Sequence, residues 1–144
     1  MFNIGISEIK INSRSEDAEH ITIRYEAEAA ERPHKCANPH CGRQITPHIH
    51  SSKNNLILDI KAEDKLVFIN LKVKRYRCPA CNYVFPDVFT FYEKNAHITN
   101  RLKQEFANRH LKGETFSHIA KEYGVDHKTV ATAFKVYSTV FKES

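Results

Sequence analysis

The chain has 144 residues, with 9 His, 4 Cys, 41% hydrophobic residues and a formal net charge of +5; one or two small domains fit that length, and a large catalytic fold with helices on both faces of a long sheet does not. No stretch approaches the roughly 18 to 20 apolar residues of a membrane span, so a transmembrane chain is excluded on this reading. Lys and Arg outnumber Asp and Glu by 15 to 6 between residues 32 and 112, against 3 to 7 before and 4 to 4 after, and a positive field confined to the middle of the chain points to a polyanionic partner, nucleic acid before membrane.

In chain order, residues 4–11 (IGISEIKI) and 19–28 (EHITIRYEAE) alternate apolar and polar with period two, which predicts two half-buried strands joined by the polar loop NSRSEDA. Glu8, Glu26 and Glu28 are expected on or near solvent. Two further strand-like runs follow, NLILDIK at 55–61 and KLVFINLKVKRYRC at 65–78, and the polar connection KAEDK makes a hairpin the economical reading. In the longer run Val67, Ile69, Leu71 and Val73 share one face, while Lys72, Lys74 and Tyr76 point to the other, giving a dry side and a basic side.

From about residue 95 the period changes to that of a helix. Ile98, Leu102, Phe106 and either Ala107 or Leu111 form one stripe, with Gly113 as the stop. A short helix from about Thr115 to Tyr123 turns Phe116, Ile119 and Ala120 inward. A third runs from His127 towards Phe141, with Val130, Phe134 and Tyr137 inward. The fold class expected is α+β: a small antiparallel sheet within residues 1–92 (strand pair 1–31, then a segment 33–90 whose two close cysteine pairs, 36/41 and 78/81, are those of a zinc ribbon), then a three-helix bundle at 95–144.

The first twenty residues lack the basic region, apolar core and small-residue cleavage site of a secretory signal, so a cytoplasmic location is expected, with nucleoid association when bound to DNA. In a reducing compartment four cysteines are metal ligands or buried thiols before they are disulfides. They fall in two close pairs, Cys36-x4-Cys41 and Cys78-x2-Cys81. Two short loops that each present two thiolates meet the tetrahedral preference of zinc once a sheet brings them together. Gly42 and Asn82 follow the second cysteine of each pair, and both residue types accept positive φ. His34 or His40 replacing Cys36 or Cys41 stays open, as do a disulfide or unconnected thiols. No position is evidently left for water, and no H-E-x-x-H or H-x-E pattern supplies a hydrolytic centre, so the Zn2+ is expected to be structural and no catalytic residue is assigned.

The segment TFSHIAKEYGVDHKTVATAFKVY at 115–137 fits a DNA-reading helix–turn–helix. Ala120 is small where two helices would cross, Gly124 sits in the turn, Val125 and Val130 fill the contact, and Asp126 is a good N-cap. Near the amino end of the second helix His127, Lys128 and Thr132 are candidates for base readout, with Thr129 and Lys135 on phosphates. The basic strand containing Lys72, Lys74, Arg75 and Arg77 would add backbone contacts. A plain bundle with a polar face, and a merely solvated basic strand, are the competing readings.

The ordered combination of a strand pair, a cysteine knuckle followed by Gly, the run VKRYRCPAC at 73–81, an aromatic exit (NYVFPDVFTFY) and IAKEYGVDHKTV at 119–130 resembles the amino-terminal region of the insertion-sequence transposases of the L-three family. The resemblance implies a zinc ribbon and helix–turn–helix that recognise terminal inverted repeats. It also implies a separate downstream RNase H-type domain that carries an Asp-Asp-Glu triad with magnesium. The first knuckle departs from the family's usual two intervening residues. The acidic residues after position 80 match no triad motif, so the resemblance implies the DNA-binding part without the nuclease. Sequence-specific binding of double-stranded DNA, without enzymatic activity, a membrane or a small-molecule substrate, is therefore expected. A stand-alone regulator or a protein-interaction adaptor remain alternatives. Inverted repeats would favour a homodimer, although no long coiled-coil heptad is present to make one.

Overall fold

The computed structural model describes residues 3–93 and 96–142, and side chains of the last helix as far as Tyr137. The seam expected between residues 92 and 95 falls partly on Lys94 and Asn95, outside the described residues. The helix expected from about residue 95 starts only at Asn100, a correction: Ile98, expected on its stripe, and the N-cap Thr99 are extended and bridge Leu58 and Tyr92. Among the described residues five strands precede three helices: β1 (Ile9–Glu16), β2 (Thr22–Ala29), β3 (His48–Ala62), β4 (Lys65–Arg77), β5 (Val84–Pro86), α1 (Asn100–Leu111), α2 (Phe116–Tyr123) and α3 (His127–Lys142). They form one sheet in the order β1-β2-β4-β3, with β5 on β4.

The sheet is mixed, a correction to the antiparallel sheet expected. β2 runs parallel to β4, with Ile23 opposite Val67 and Ala27 opposite Leu71. Alternation marks which face of a strand is dry and says nothing of its neighbour's direction. Here the apolar rows of β2 and β4 merge on one face, where Ile23, Tyr25 and Ala27 join Val67, Ile69, Leu71, Val73 and Ile57 of β3. Phe89, Phe91 and Tyr92 close over part of this face.

The stretch NSRSE, expected as loop, is the second half of the edge strand β1. An outer strand can be polar because its side chains need little burial. The turn falls at residues 17–21, where Asp17 Oδ1 accepts the N–H of Ile21 at 2.8 Å and His20 takes φ 57°. β3 and β4 form the hairpin expected. Glu63 and Asp64 carry φ of 55° and 60°, the paired positive values of a two-residue turn whose twist matches its strands. β3 begins at His48, seven residues before the start expected.

The opposite face of the sheet carries the helices. Leu102 and Phe106 of α1, Ile119, Ala120 and Tyr123 of α2, and Val130 and Ala133 of α3 share their core with Leu58, and Ile60, Leu66 and Phe68 pack against it. Of the stripe expected in α1, Ala107 is buried and Leu111 is exposed. Thr99 caps α1, and Thr115 caps α2 by accepting the N–H of His118 at 3.1 Å. The helices are tied to the sheet at its β3 edge. Leu58 N–H donates to His97 O at 2.8 Å, Thr99 N–H to Leu58 O at 3.0 Å, and Lys61 N–H to the Tyr123 hydroxyl at 3.4 Å. No helix among the described residues is long and apolar enough to cross a membrane.

Candidate metal centre and nucleic-acid interface

β4 ends at Arg77 and runs directly into Cys78, while the chain from Cys36 to Pro47 leads into β3 at His48, so the central hairpin brings the two cysteine pairs together at one end of the sheet. The four Sγ atoms lie within 4.8 Å of one another. Cys36 Sγ is 3.6 Å from Cys81 Sγ, and Cys41 Sγ is 3.9 Å from Cys78 Sγ. Four sulfurs around a zinc at Zn–S near 2.3 Å stand about 3.8 Å apart, so these thiols fit the tetrahedron. The same separations are far beyond a disulfide bond. Neither His34 nor His40 belongs to the cluster.

The loops around the sulfurs are built as the spacing expects, with one addition. Gly42 (φ 56°) and Asn82 (φ 63°) make the left-handed turns after each pair. Asn82 N–H donates to Cys78 O at 2.8 Å, and Cys78 N–H to Tyr83 O at 3.0 Å. In the longer first loop Asn38 accounts for the extra residues. Its side chain turns the chain by accepting the N–H of His40 at 3.0 Å, and its own N–H lies 3.4 Å from Cys36 Sγ. Its Nδ2 reaches Cys81 Sγ at 3.8 Å. Burial pushes the Cys36 thiol up to about 12. The N–H groups of Cys81 and Ala80 draw Cys78 down to about 7. Zinc bound here would supply the positive charge that a cluster of thiolates needs.

Beneath the cysteines lies a cluster that sequence reasoning missed: Tyr76, 1% exposed, packs with Phe85, Cys36 and Cys78. Tyr76 was expected on the basic side of β4. It does share a face with Lys72 and Lys74, but at this end of the strand the ribbon covers that face. The basic residues of β4 divide in the same way. Lys72 and Lys74 lie on one face and Arg75 and Arg77 on the other. Lys74 Nζ sits 3.3 Å from Glu28, so its charge is partly spent within the sheet.

At the other site α2 ends as the pattern expects. Gly124 takes φ 69°, and Val125 N–H donates back to Ala120 O at 3.0 Å, closing the helix in a Schellman turn. Asp126 Oδ1 accepts the N–H of Lys128 at 2.9 Å and so caps α3. His127, Lys128, Thr132 and Lys135 are exposed and Thr129 is half-buried. Lys128, Thr129 and Thr132 border a groove of about 380 Å³ that Lys103 of α1 also lines.

Comparison with protein families matches two parts of this structure. The model for the zinc-finger of transposase IS204/IS1001/IS1096/IS1165 covers residues 32–81, which hold all four cysteines, and the model for the helix-turn-helix domain of transposase family ISL3 covers residues 89–137. The zinc ribbon and the helix–turn–helix of this chain are those of the ISL3 transposase family. Comparison with curated proteins and with solved structures gives no match. The ISL3 zinc ribbon spans β3, β4 and the cysteine loops, and the ISL3 helix–turn–helix spans α1, α2, its turn and α3 as far as Tyr137. Both matched domains are DNA-binding parts of a transposase, and the thiol cluster supports structural zinc in the first.

Proposed function

We propose that this chain is a sequence-specific reader of double-stranded DNA that acts by binding, as the transposon-end recognition region of an ISL3 transposase would. The observation that carries the reading is the α2–Gly124–α3 unit, which caps α3 at Asp126 and leaves His127, Lys128 and Thr132 exposed at its amino end. A helix that enters the major groove contacts base edges from its amino-terminal turns. His127, Lys128 and Thr132 read bases, Thr129 and Lys135 contact phosphates, and the basic end of β4 (Lys72, Lys74, Arg75, Arg77) adds backbone contacts. Cys36, Cys41, Cys78 and Cys81 hold a structural Zn2+ that fixes the loops at that end. In this reading residues 1–92 form the ribbon unit and 95–144 the helical one.

Selection of the zinc-loaded protein against a random-sequence duplex library tests the reading. The expected result is a defined motif that loses one or two base positions in Lys128→Ala, with a discrimination loss of roughly 1 to 3 kcal/mol at each. Retention without any motif would overturn sequence reading, and a motif unchanged in Lys128→Ala would overturn this placement of α3.

A further inference from the structure

The cysteine loops and the hairpin strands contain two long runs without a single acidic residue, 32–58 and 65–86, which together hold nine Lys and Arg and four His. The structure brings these runs side by side. From His48 to Asn54 every residue of β3 is exposed, yet the strand continues because its backbone pairs with β4. His48 faces Arg77, Ser51 faces Arg75 and Lys53 faces Val73, with a bulge between Ile49 and Ser51. By alternation Lys53, Arg75 and Arg77 project from the same face of the sheet, with His48 beside Arg77. None of these four side chains makes a hydrogen bond or ion pair among the described residues, unlike Lys10, Arg14, Lys65 and Lys74 elsewhere on the sheet. Asp87, which lines the neighbouring groove with Lys53, is held by the Lys74 N–H at 2.9 Å.

We propose that this face of the β3–β4 tip is a second DNA-contact surface: Lys53, Arg75 and Arg77, with His48, grip the phosphates of duplex DNA apart from the groove that α3 occupies. The inference rests on the DNA-binding reading above and refines it. It adds His48 and Lys53, which the sequence did not single out, and it removes Lys74, whose charge Glu28 already answers. Unpaired cations on a rigid strand fit a phosphate backbone because they carry no base information and need no partner in the free protein. Arg75 and Arg77 stand about 7 Å apart on one face, close to the separation of successive phosphates along a strand. The zinc site acts here as the clamp, because both strands of the tip enter the cysteine loops.

The test compares the zinc-loaded wild type, Lys53→Ala/Arg75→Ala/Arg77→Ala, and Lys128→Ala on a mixed-sequence duplex of about 30 base pairs, roughly three helical turns, by fluorescence anisotropy across a salt series. Each phosphate contact adds about 0.9 to the slope of log K against log salt, so the triple variant should lose about 2 to 3 from that slope. It should keep its zinc content, circular dichroism and thermal midpoint, since the three side chains are exposed or peripheral. A triple variant with the wild-type slope overturns the inference, and it leaves the α3 reading standing if Lys128→Ala still blurs the selected motif. A lowered slope with an unchanged motif in Lys128→Ala sustains the tip and overturns the placement of α3. A wild type that binds no duplex overturns both.

Discussion

Asp59→Ala should be among the most damaging single changes in the chain, because of what its carboxylate holds. Asp59 is 1% exposed. It accepts the Thr99 hydroxyl at 2.8 Å and Arg101 Nε at 2.8 Å, with a second short bond to Arg101 Nη2. Thr99 is also the N-cap of α1, so the carboxylate orients the hydroxyl whose oxygen receives the Leu102 N–H at 3.3 Å. Removing one partner of a buried ion pair costs roughly 3 to 5 kcal/mol, because the other charge is left without compensation. The Arg101 side chain keeps 37% of its exposure, so water softens that cost, and a loss of about 2 to 3 kcal/mol is expected for Asp59→Ala after this discount. Asp59→Asn, which keeps an acceptor for Thr99, should lose about half as much. Urea unfolding of the zinc-loaded protein, followed by circular dichroism, measures both. A double-mutant cycle with Arg101→Ala should give a coupling of about 1 to 3 kcal/mol. An Asp59→Ala protein within about 0.5 kcal/mol of wild type, or a coupling near zero, would refute the idea that this pair fastens α1 to the sheet.

Gly124→Ala isolates a backbone cost, since no atom lies within 4 Å of the added Cβ while φ is +69°; about 1 kcal/mol of stability should be lost. Gly124→Asn should lose less, and an unchanged unfolding midpoint in the alanine variant would show that the turn relaxes. Glu16 is held at about 2, below the ordinary 4.5, by hydrogen bonds from His20 and then Lys65. A depressed carboxylate stabilises the fold above its unfolded pKa, so this contribution is intact at neutral pH and fades as pH falls from about 4.5 towards 2. Acid titration of unfolding should therefore be shallower in Glu16→Gln than in wild type, and identical acid limbs would count against the assignment.

Much of the helical part was legible because helix signals are local. Gly113, Gly124, Asp126 and the 3.6-residue spacing of Leu102 and Phe106 each act within a turn or two of where they stand. The sheet was legible only by strand. The parallel pairing of β2 with β4 joins residues more than forty positions apart, and nothing in either strand's alternation names its neighbour. Tyr76 shows the same limit at the scale of a side chain. Its parity was right, but whether that face is wet changes along β4, because Phe85 and the cysteine loops cover only its last residues. The polar edge segment NSRSE in β1 reads as loop and HIHSSKN in β3 carries no strand signal, since both hold their place by backbone pairing. For the metal site the cysteine spacing was sufficient to anticipate the cluster. Asn38 was not foreseen, although an Asn two residues after a cysteine in an over-long knuckle is a usable signal for a side-chain-made turn.

The strand β3 links the two proposed DNA surfaces. It runs 15 residues, from His48 at the zinc-clamped tip to Ala62 at the hairpin turn. At its far end Leu58, Asp59 and Lys61 bond or pack to the helical segment through His97, Thr99, Arg101 and Tyr123. A paired strand is stiff along its axis, and the ten residue steps from His48 to Leu58 cover about 33 Å, close to the 34 to 36 Å of one duplex turn. The tip and the helices therefore cannot approach DNA as independent modules on a loose tether. If both bind, the tip meets the backbone about one turn from the strand segment that carries the helices. The Asp59–Arg101 pair then sets binding geometry as well as stability, because loosening α1 on β3 would blur the spacing between base readout and phosphate grip before it unfolded either one.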